Sequence, residues 1–155
     1  MIDFAHLERY RENNRLEAKR AVGGLPESIW ETYSAFANTL GGLILLGVEE
    51  RREDKTLYAV DLPDIPAILQ DFWDVINDPD RVSANILRDE DVTVMSLDGC
   101  RIIVIRVPEA ERKPVYLQGS PLQGTYRRSG EGDYHCTPEE VQAMQLGVRK
   151  LWGNE

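Results

Sequence analysis

No apolar run in this sequence reaches the roughly 18 residues that a membrane-spanning helix needs, so we expect no membrane segment. The first residues lack the apolar stretch of a secretory signal peptide. Cysteine is scarce, since Cys100 and Cys136 are the only two and form neither a C-x-x-C pair nor a zinc-ligand spacing. Together these absences favour a soluble, reduced protein of the cytoplasm.

Short catalytic motifs are also missing. The sequence has no phosphate-binding P-loop, and no third glycine follows Gly130 and Gly132 in the spacing of a dinucleotide loop. The motifs G-x-S-x-G and H-E-x-x-H do not occur. His6 and His135 are isolated, so we expect packing or surface roles for them. The leading hypothesis is therefore a protein without a cofactor and without catalytic activity.

Positive charge is in deficit, because 18 lysine and arginine residues face 27 acidic residues and the net charge is −9. This balance excludes a protein that coats nucleic acid with a uniformly basic surface. The cations are nevertheless concentrated at residues 9–20 and near residue 127, whereas residues 61–91 are strongly acidic. The pattern fits either ordinary solvated charge or a local basic face. The candidate phosphate contacts on such a face are Arg15, Lys19, Arg20, Arg127 and Arg128.

The first half of the chain predicts a strand, a helix and a buried strand. Residues 15–20 alternate between apolar and charged side chains, as a half-buried strand does. Ser28 and Glu31 match a capping box at the start of an amphipathic helix. The apolar run Leu43–Val48 predicts one continuous central strand that is buried on both faces.

The second half predicts a strand at 57–60, an amphipathic helix at 64–77, and a hairpin around Asp98 and Gly99. Thr137 begins a last helix as its N-cap, with Pro138 at the first position. The apolar stripe of this helix is Val141, Met144, Val148 and Leu151.

These elements predict an α/β (α+β) fold in which a mixed central sheet packs against about three main helices. We expect one compact domain over residues 1–155, with its core at about residues 10–150.

Three glutamates lie on or beside predicted strands and are candidate metal ligands. Glu12 precedes the strand that carries Glu17, and Glu50 follows the central strand. If the two strands are neighbours, the three side chains can converge at one edge of the sheet. Carboxylate oxygens are the ligands that Mg²⁺ or Mn²⁺ needs for phosphodiester hydrolysis. Spacing alone is weak evidence, because any acidic protein offers many such triples.

Several segments resemble the Schlafen-type Alba-like domain over nearly the whole chain. They are Glu12–Lys19 (ENNRLEAK), Ser34–Gly42 (SAFANTLGG), Leu45–Glu50 (LLGVEE) and Gly124–Gly130 (GTYRRSG). The motif residues are Asn38, Gly41, Gly42 and Gly47. We interpret the first three as the end of the helix, where asparagine and glycine tolerate left-handed backbone.

The resemblance implies nucleic-acid binding, because this domain is the N-terminal module of many bacterial transcriptional regulators. The related vertebrate nucleases use two such modules as a clamp, and a homodimer of this chain could supply the second. Family members often continue into a C-terminal ATPase or winged-helix region outside this sequence. In Schlafen-type ribonucleases, metal-binding acids occupy positions that fall here on Glu12, Glu17 and Glu50. Many members have aspartate where Glu50 stands.

Three hypotheses for the function remain open. The first is a nucleic-acid-binding module of a transcriptional regulator, which uses a local arginine and lysine face on an acidic domain. The second is a metal-dependent ribonuclease for tRNA-type or rRNA-type substrates, with Mg²⁺ or Mn²⁺ on Glu12, Glu17 and Glu50. The third is a non-catalytic interaction or oligomerisation module.

Overall fold

The computed structural model describes residues 2–147 of the chain. Val148 and Leu151, which the sequence assigns to the stripe of the last helix, lie outside the described residues. Within the described range, no helix is long and apolar enough to span a membrane.

Eight strands and four α-helices make up the regular structure of these residues. The strands are β1 (Leu16–Lys19), β2 (Gly42–Leu46), β3 (Val48–Glu50), β4 (Leu57–Ala59), β5 (Val92–Leu97), β6 (Cys100–Val107), β7 (Tyr126–Ser129) and β8 (Gly132–His135). The helices are α1 (Ile29–Asn38), α2 (Ile65–Ile76), α3 (Pro121–Gly124) and α4 (Pro138–Gln145). Two short 3₁₀ helices cover Phe4–Arg9 and Asp89–Asp91.

The main sheet has four strands in the order β1-β2-β6-β5. β1 runs parallel to β2, and the other neighbours are antiparallel, so the sheet is mixed as predicted. The hairpins β3–β4 and β7–β8 form two further two-stranded sheets. The predicted fold class is confirmed, with α1, α2 and α4 as the three longest α-helices of the described residues.

The core lies on both faces of the main sheet. Ile44 and Leu46 of β2 point to one face and pack in a cluster that includes Phe36 of α1 and Phe72 of α2. Leu45 points to the other face and belongs to a second cluster around the start of the chain and the β3–β4 hairpin. This alternation follows from the two-residue period of a strand, and it buries β2 on both sides as predicted.

The predicted capping box at the start of α1 is wrong. Ser28 has helical backbone angles and makes no side-chain cap hydrogen bond. Its hydroxyl accepts a hydrogen bond from Nζ of Lys19 at 3.1 Å. The hydroxyl of Ser28, which the sequence pattern assigned to capping α1, therefore binds Lys19 of β1 instead. The second predicted start is confirmed, because Thr137 and Glu140 cap α4 reciprocally.

The run Leu43–Val48 is not one strand, which corrects the prediction. Gly47 has a φ of +88° and separates β2 from β3. A Cβ atom at Gly47 would lie 2.9 Å from Cγ of Leu62 and 3.0 Å from the carbonyl oxygen of Val60. The chain therefore leaves the main sheet at Gly47, and Glu50 ends a strand of the β3–β4 hairpin.

The end of α1 also differs from the interpretation of the motif. Asn38 is the last helical residue, and Gly42 already belongs to β2. The left-handed residue is Gly41, with a φ of +76° and an N–H that donates to the carbonyl of Phe36 at 2.7 Å. Asn38 has a different role, which concerns the site.

Gly47→Ala should lower the free energy of unfolding by about 2–5 kcal/mol, because left-handed backbone and a steric clash act together. Gly99→Ala is the matched control, since Gly99 also has a positive φ but no atom within 4 Å of its Cβ position. It should cost only about 1–2 kcal/mol. Urea denaturation of both variants measures the difference, and equal losses would contradict the proposed clash.

Candidate functional site

A tight turn before β1 brings Glu12 back against the edge of the main sheet. The backbone N–H of Asn13 donates to the carbonyl of Leu16 at 3.0 Å, and Oδ1 of Asn13 accepts from the N–H of Arg15 at 2.8 Å. The carboxylate of Glu12 then accepts a hydrogen bond from the N–H of Ala18 at 2.9 Å. Because β1 is an edge strand, this backbone donor is available to a side chain.

Carboxylates from three elements meet at this point. One oxygen each of Glu12, Glu50 and Glu131 lie within 4.8 Å of one another. Glu50 ends β3, and Glu131 lies in the turn between β7 and β8. Glu17 of β1 lies beside Glu12, close enough to accept a hydrogen bond when Glu12 carries a proton. We call these four residues the carboxylate cluster.

Of the three acids named from the sequence, Glu12 and Glu50 are brought together, and Glu17 lies beside Glu12. Glu131 was missed. It lies 119 positions after Glu12, so no local spacing could indicate the contact. The signal that could have found it is the hairpin turn Gly130–Gly132, whose glycines flank the glutamate.

Burial and the neighbouring carboxylates raise the pKa of Glu12 from its ordinary value of 4.5 to about 7. Burial is the largest cause, and the nearby charge of Glu17, its hydrogen bond and the charge of Glu50 add to it. The hydrogen bond from the N–H of Ala18 acts in the opposite direction. Glu12 therefore exchanges a proton near neutral pH, and a bound cation would compete with that proton.

Glu17 is engaged by cations. Its Oε1 lies 2.9 Å from Nη1 of Arg128, and its Oε2 lies 3.5 Å from Nζ of Lys19. Both carboxylate oxygens of Glu17 therefore face a cation. Among the ion pairs of the described residues, neither Arg128 nor Lys19 pairs with Glu12 or Glu131. The group that the structure brings within reach of a single ion is thus Glu12, Glu50 and Glu131.

Arg128 is fully buried, which corrects its assignment to an exposed basic face. Besides Glu17, its guanidinium binds Oδ1 of Asp133 at 2.7 Å and the carbonyl of Asn13 at 2.8 Å. Its guanidinium carbon lies 4.9 Å from the ring centroid of Phe36. Arg127 and Arg128 are consecutive in β7, so their side chains must point to opposite faces of the hairpin.

The other basic candidates do not form one continuous exposed patch. Arg15 and Arg20 are exposed at the two ends of β1, and Arg20 pairs with Glu49 at 3.4 Å. Lys19 is largely buried between Ser28 and Glu17. Arg127 pairs with Glu140 of α4 at 3.3 Å. We call Arg15 and Arg20 the basic edge, because they flank the edge strand.

Asn38 links helix α1 to the β7–β8 hairpin, whose turn carries Glu131. Its amide nitrogen donates to the carbonyls of Val115 at 2.9 Å and Tyr126 at 3.0 Å, and its Oδ1 accepts from the N–H of Val115 at 2.8 Å. The side chain is completely buried. Asn38 thus positions β7 relative to α1 rather than ending the helix with left-handed backbone.

The comparisons with known proteins agree with this architecture. The model of the Schlafen AlbA_2 family matches residues 12–137, a range that contains the whole carboxylate cluster. No curated protein matches the chain.

Two solved structures are similar to the chain. One is the N-terminal domain of a RecG-related protein from Nitrosomonas europaea, named for the ATP-dependent DNA helicase. It shares 31% identity and a TM-score of 0.64, over 88% of this chain and 95% of that domain. The other is the DIP2311 protein from Corynebacterium diphtheriae, with 18% identity and a TM-score of 0.56 over 92% of this chain and 25% of that one. This second likeness shows the fold alone.

The raised pKa of Glu12 predicts a pH-dependent stability. The folded state holds the proton more tightly than the unfolded state, so Glu12 stabilises folding below about pH 4.5, and this contribution is lost as the pH rises through 7. Glu12→Gln should remove the loss. Between pH 5 and pH 8, the free energy of unfolding of Glu12→Gln should therefore rise by about 1–2 kcal/mol relative to that of wild type. This is less than the full pKa shift would give, because Glu12 is half-buried and solvent screens its charge.

Urea denaturation across that pH range measures this effect, and the exposed Glu111→Gln serves as control because it should show no pH-dependent difference. A carboxyl NMR titration of Glu12 with a midpoint below pH 5 would contradict the prediction.

Proposed function

The chain belongs to the Schlafen AlbA_2 family, and on that premise we propose that it is a nucleic-acid-binding module of a transcriptional regulator. The observation that carries the proposal is the similarity, at 31% identity over 88% of the chain, to a domain of a protein named for a DNA helicase. The proposal includes a homodimer, which would present two binding edges, and attachment to a C-terminal ATPase or winged-helix region.

The basic edge is the part of the surface that best fits a phosphate backbone. Arg15 and Arg20 are exposed and five residues apart along an edge strand, which corresponds to about 16 Å at ~3.3 Å per residue. Arginine binds phosphate oxygens in a two-pronged geometry, and its charge does not depend on pH. Because residues an odd number of positions apart along a strand point to opposite faces, a bound nucleic-acid strand would follow the edge of β1 to contact both arginines.

The acidic net charge does not prevent such binding. Much of the acidity lies in residues 61–91, which form α2 and the segment leading to β5. β5 is at the opposite edge of the main sheet from β1. Exposed charges are screened over a length of about 8 Å at physiological ionic strength. The field at β1 therefore depends on the groups near it, which are Arg15, Arg20 and the carboxylate cluster, and not on the acidity of residues 61–91.

Affinity for duplex DNA should fall linearly with salt on a log–log plot, with a slope of about −0.9 per contacted phosphate. Changing Arg15→Ala and Arg20→Ala together should make that slope shallower by about two units. Arg88→Ala is a control, because Arg88 is exposed beside β5 at the other edge of the sheet. Fluorescence anisotropy with a labelled oligonucleotide measures both.

An unchanged slope in the double variant would remove the basic edge from the interface. A wild-type protein that binds neither duplex nor single-stranded nucleic acid would overturn the proposed function and leave the interaction module as the remaining hypothesis.

A metal-dependent ribonuclease is the second candidate, and the proximity of Glu12, Glu50 and Glu131 favours it. Carboxylate oxygens suit Mg²⁺ or Mn²⁺, and two oxygens that each bind one ion at about 2.0–2.6 Å are at most about 5 Å apart. Their mutual distances within 4.8 Å therefore fit a common ion. Such an ion would supply charge neutralisation at a phosphate and activation of water.

The protein's own residues would divide the work of that site. Glu12, Glu50 and Glu131 would hold the ion, which would also displace the proton from Glu12. Glu17, held by Arg128 and Lys19, would lie beside the deprotonated Glu12, and its negative charge would favour a cation there. This ligand set replaces Glu17 of the sequence-based hypothesis by Glu131.

Labelled tRNA incubated with Mn²⁺ should be cleaved, and EDTA should stop the cleavage. Glu12→Gln and Glu131→Gln should each reduce the rate by at least tenfold and abolish the thermal stabilisation by Mn²⁺, whereas Glu111→Gln should change neither. Cleavage and stabilisation that both survive in Glu131→Gln would exclude the ligand set proposed here. Absence of cleavage in wild type would leave the binding module.

A further inference from the structure

The β7–β8 hairpin has one buried and one exposed face. Arg128 and Asp133 are cross-strand partners that point inward, and Thr32 of α1 donates to Asp133 at 2.7 Å. Arg127 and Tyr134 are the adjacent partners, so they point outward. Tyr134 is 53% exposed, and the guanidinium carbon of Arg127 lies 5.8 Å from its ring centroid.

The ring of Tyr134 lies over Gly132, at the start of β8. A Cβ atom at Gly132 would lie only 2.8 Å from Cε2 and the hydroxyl oxygen of this ring. The hydroxyl end of Tyr134 therefore covers the α-carbon of Gly132, which is next to Glu131 in the chain. Glycine is what allows the ring to take this position, since any side chain at 132 would displace it.

The other tyrosines around the site are less available. The ring of Tyr58 is half-buried, and the guanidinium of Arg51 covers it at 4.5 Å from the centroid. Tyr126 packs against His135, with ring centroids 4.3 Å apart. Among the large hydrophobic side chains that are exposed in residues 2–147, Tyr134 is the one with an aromatic ring.

We propose that Tyr134, on the hairpin whose turn carries Glu131, is a stacking platform for an unpaired nucleobase, so that the ligand is single-stranded nucleic acid. The inference rests on the proposed nucleic-acid binding and specifies its ligand. A base stacks on an aromatic ring whatever its sequence, and a base inside a duplex cannot offer its face in this way. Arg127 and Gly132 hold the ring before binding, which lowers the entropic cost of the contact.

Anisotropy titrations at one salt concentration test the platform with four ligands: a labelled single-stranded DNA, its RNA equivalent, the matching duplex, and the same single strand built from abasic sites. Tyr134→Ala should weaken single-strand binding about tenfold, within the range of about 5- to 150-fold that stacking of one base produces. Tyr134→Phe should bind like wild type, because the ring and not the hydroxyl is required. Leu146→Ala, at an exposed residue after α4, is the control and should also bind like wild type.

The duplex and the abasic strand distinguish base stacking from attraction between charges. Duplex affinity and the salt slope should be equal in wild type and Tyr134→Ala, since no cation is removed. The abasic strand should bind both proteins equally weakly. The DNA and RNA arms then show which sugar the site accepts.

Equal affinity of wild type and Tyr134→Ala for single strands, with a normal salt slope, would overturn the platform while nucleic-acid binding stands. A tenfold loss for the abasic strand as well would also overturn it, because the effect would not depend on a base. No binding to any of the four ligands would overturn the platform together with the proposed function.

Discussion

The buried guanidinium of Arg128 is the interaction on which the arrangement of the site depends. A cation removed from water is stable only when charges and hydrogen bonds surround it. Here the partners are Glu17 of β1, Asp133 of β8 and the carbonyl of Asn13 in the turn before β1. One side chain therefore joins the β7–β8 hairpin to β1 and the turn before it, and Asn13 in that turn is 115 positions away from Arg128 in the chain. Displacing any of them would leave a charge unpaired in a medium of low dielectric constant.

The same guanidinium determines which carboxylates remain exposed to a ligand. Arg128 and Lys19 compensate Glu17, and Lys55 lies 3.6 Å from Glu50. Glu12 is held by the backbone N–H of Ala18 rather than by a cation, and burial raises its pKa to about 7. The electrostatic character of the site thus comes from an uneven distribution of cations over four carboxylates.

Local signals predicted the fold well, and long-range contacts account for what they missed. The caps of α4, the hairpin at Asp98 and the amphipathic helix α2 each depend on residues a few positions apart, and all three are confirmed. Ser28 was misassigned because Lys19 takes its hydroxyl. Glu131 and the inward direction of Arg128 depend on a hairpin whose partner surface, β1 and α1, is at least 88 residues away in the chain.

The left-handed turn at Gly47 has a consequence for how such a domain can diversify. It divides one apolar run between two sheets, so Glu50 and Arg51 take their positions from the β3–β4 hairpin and not from the main sheet. Val48 and Leu57 anchor that hairpin in the core, while residues 51–55 are exposed. Insertions or substitutions in this exposed loop can therefore accumulate during evolution and change which ligands the site binds, while the residues of the packed core stay the same.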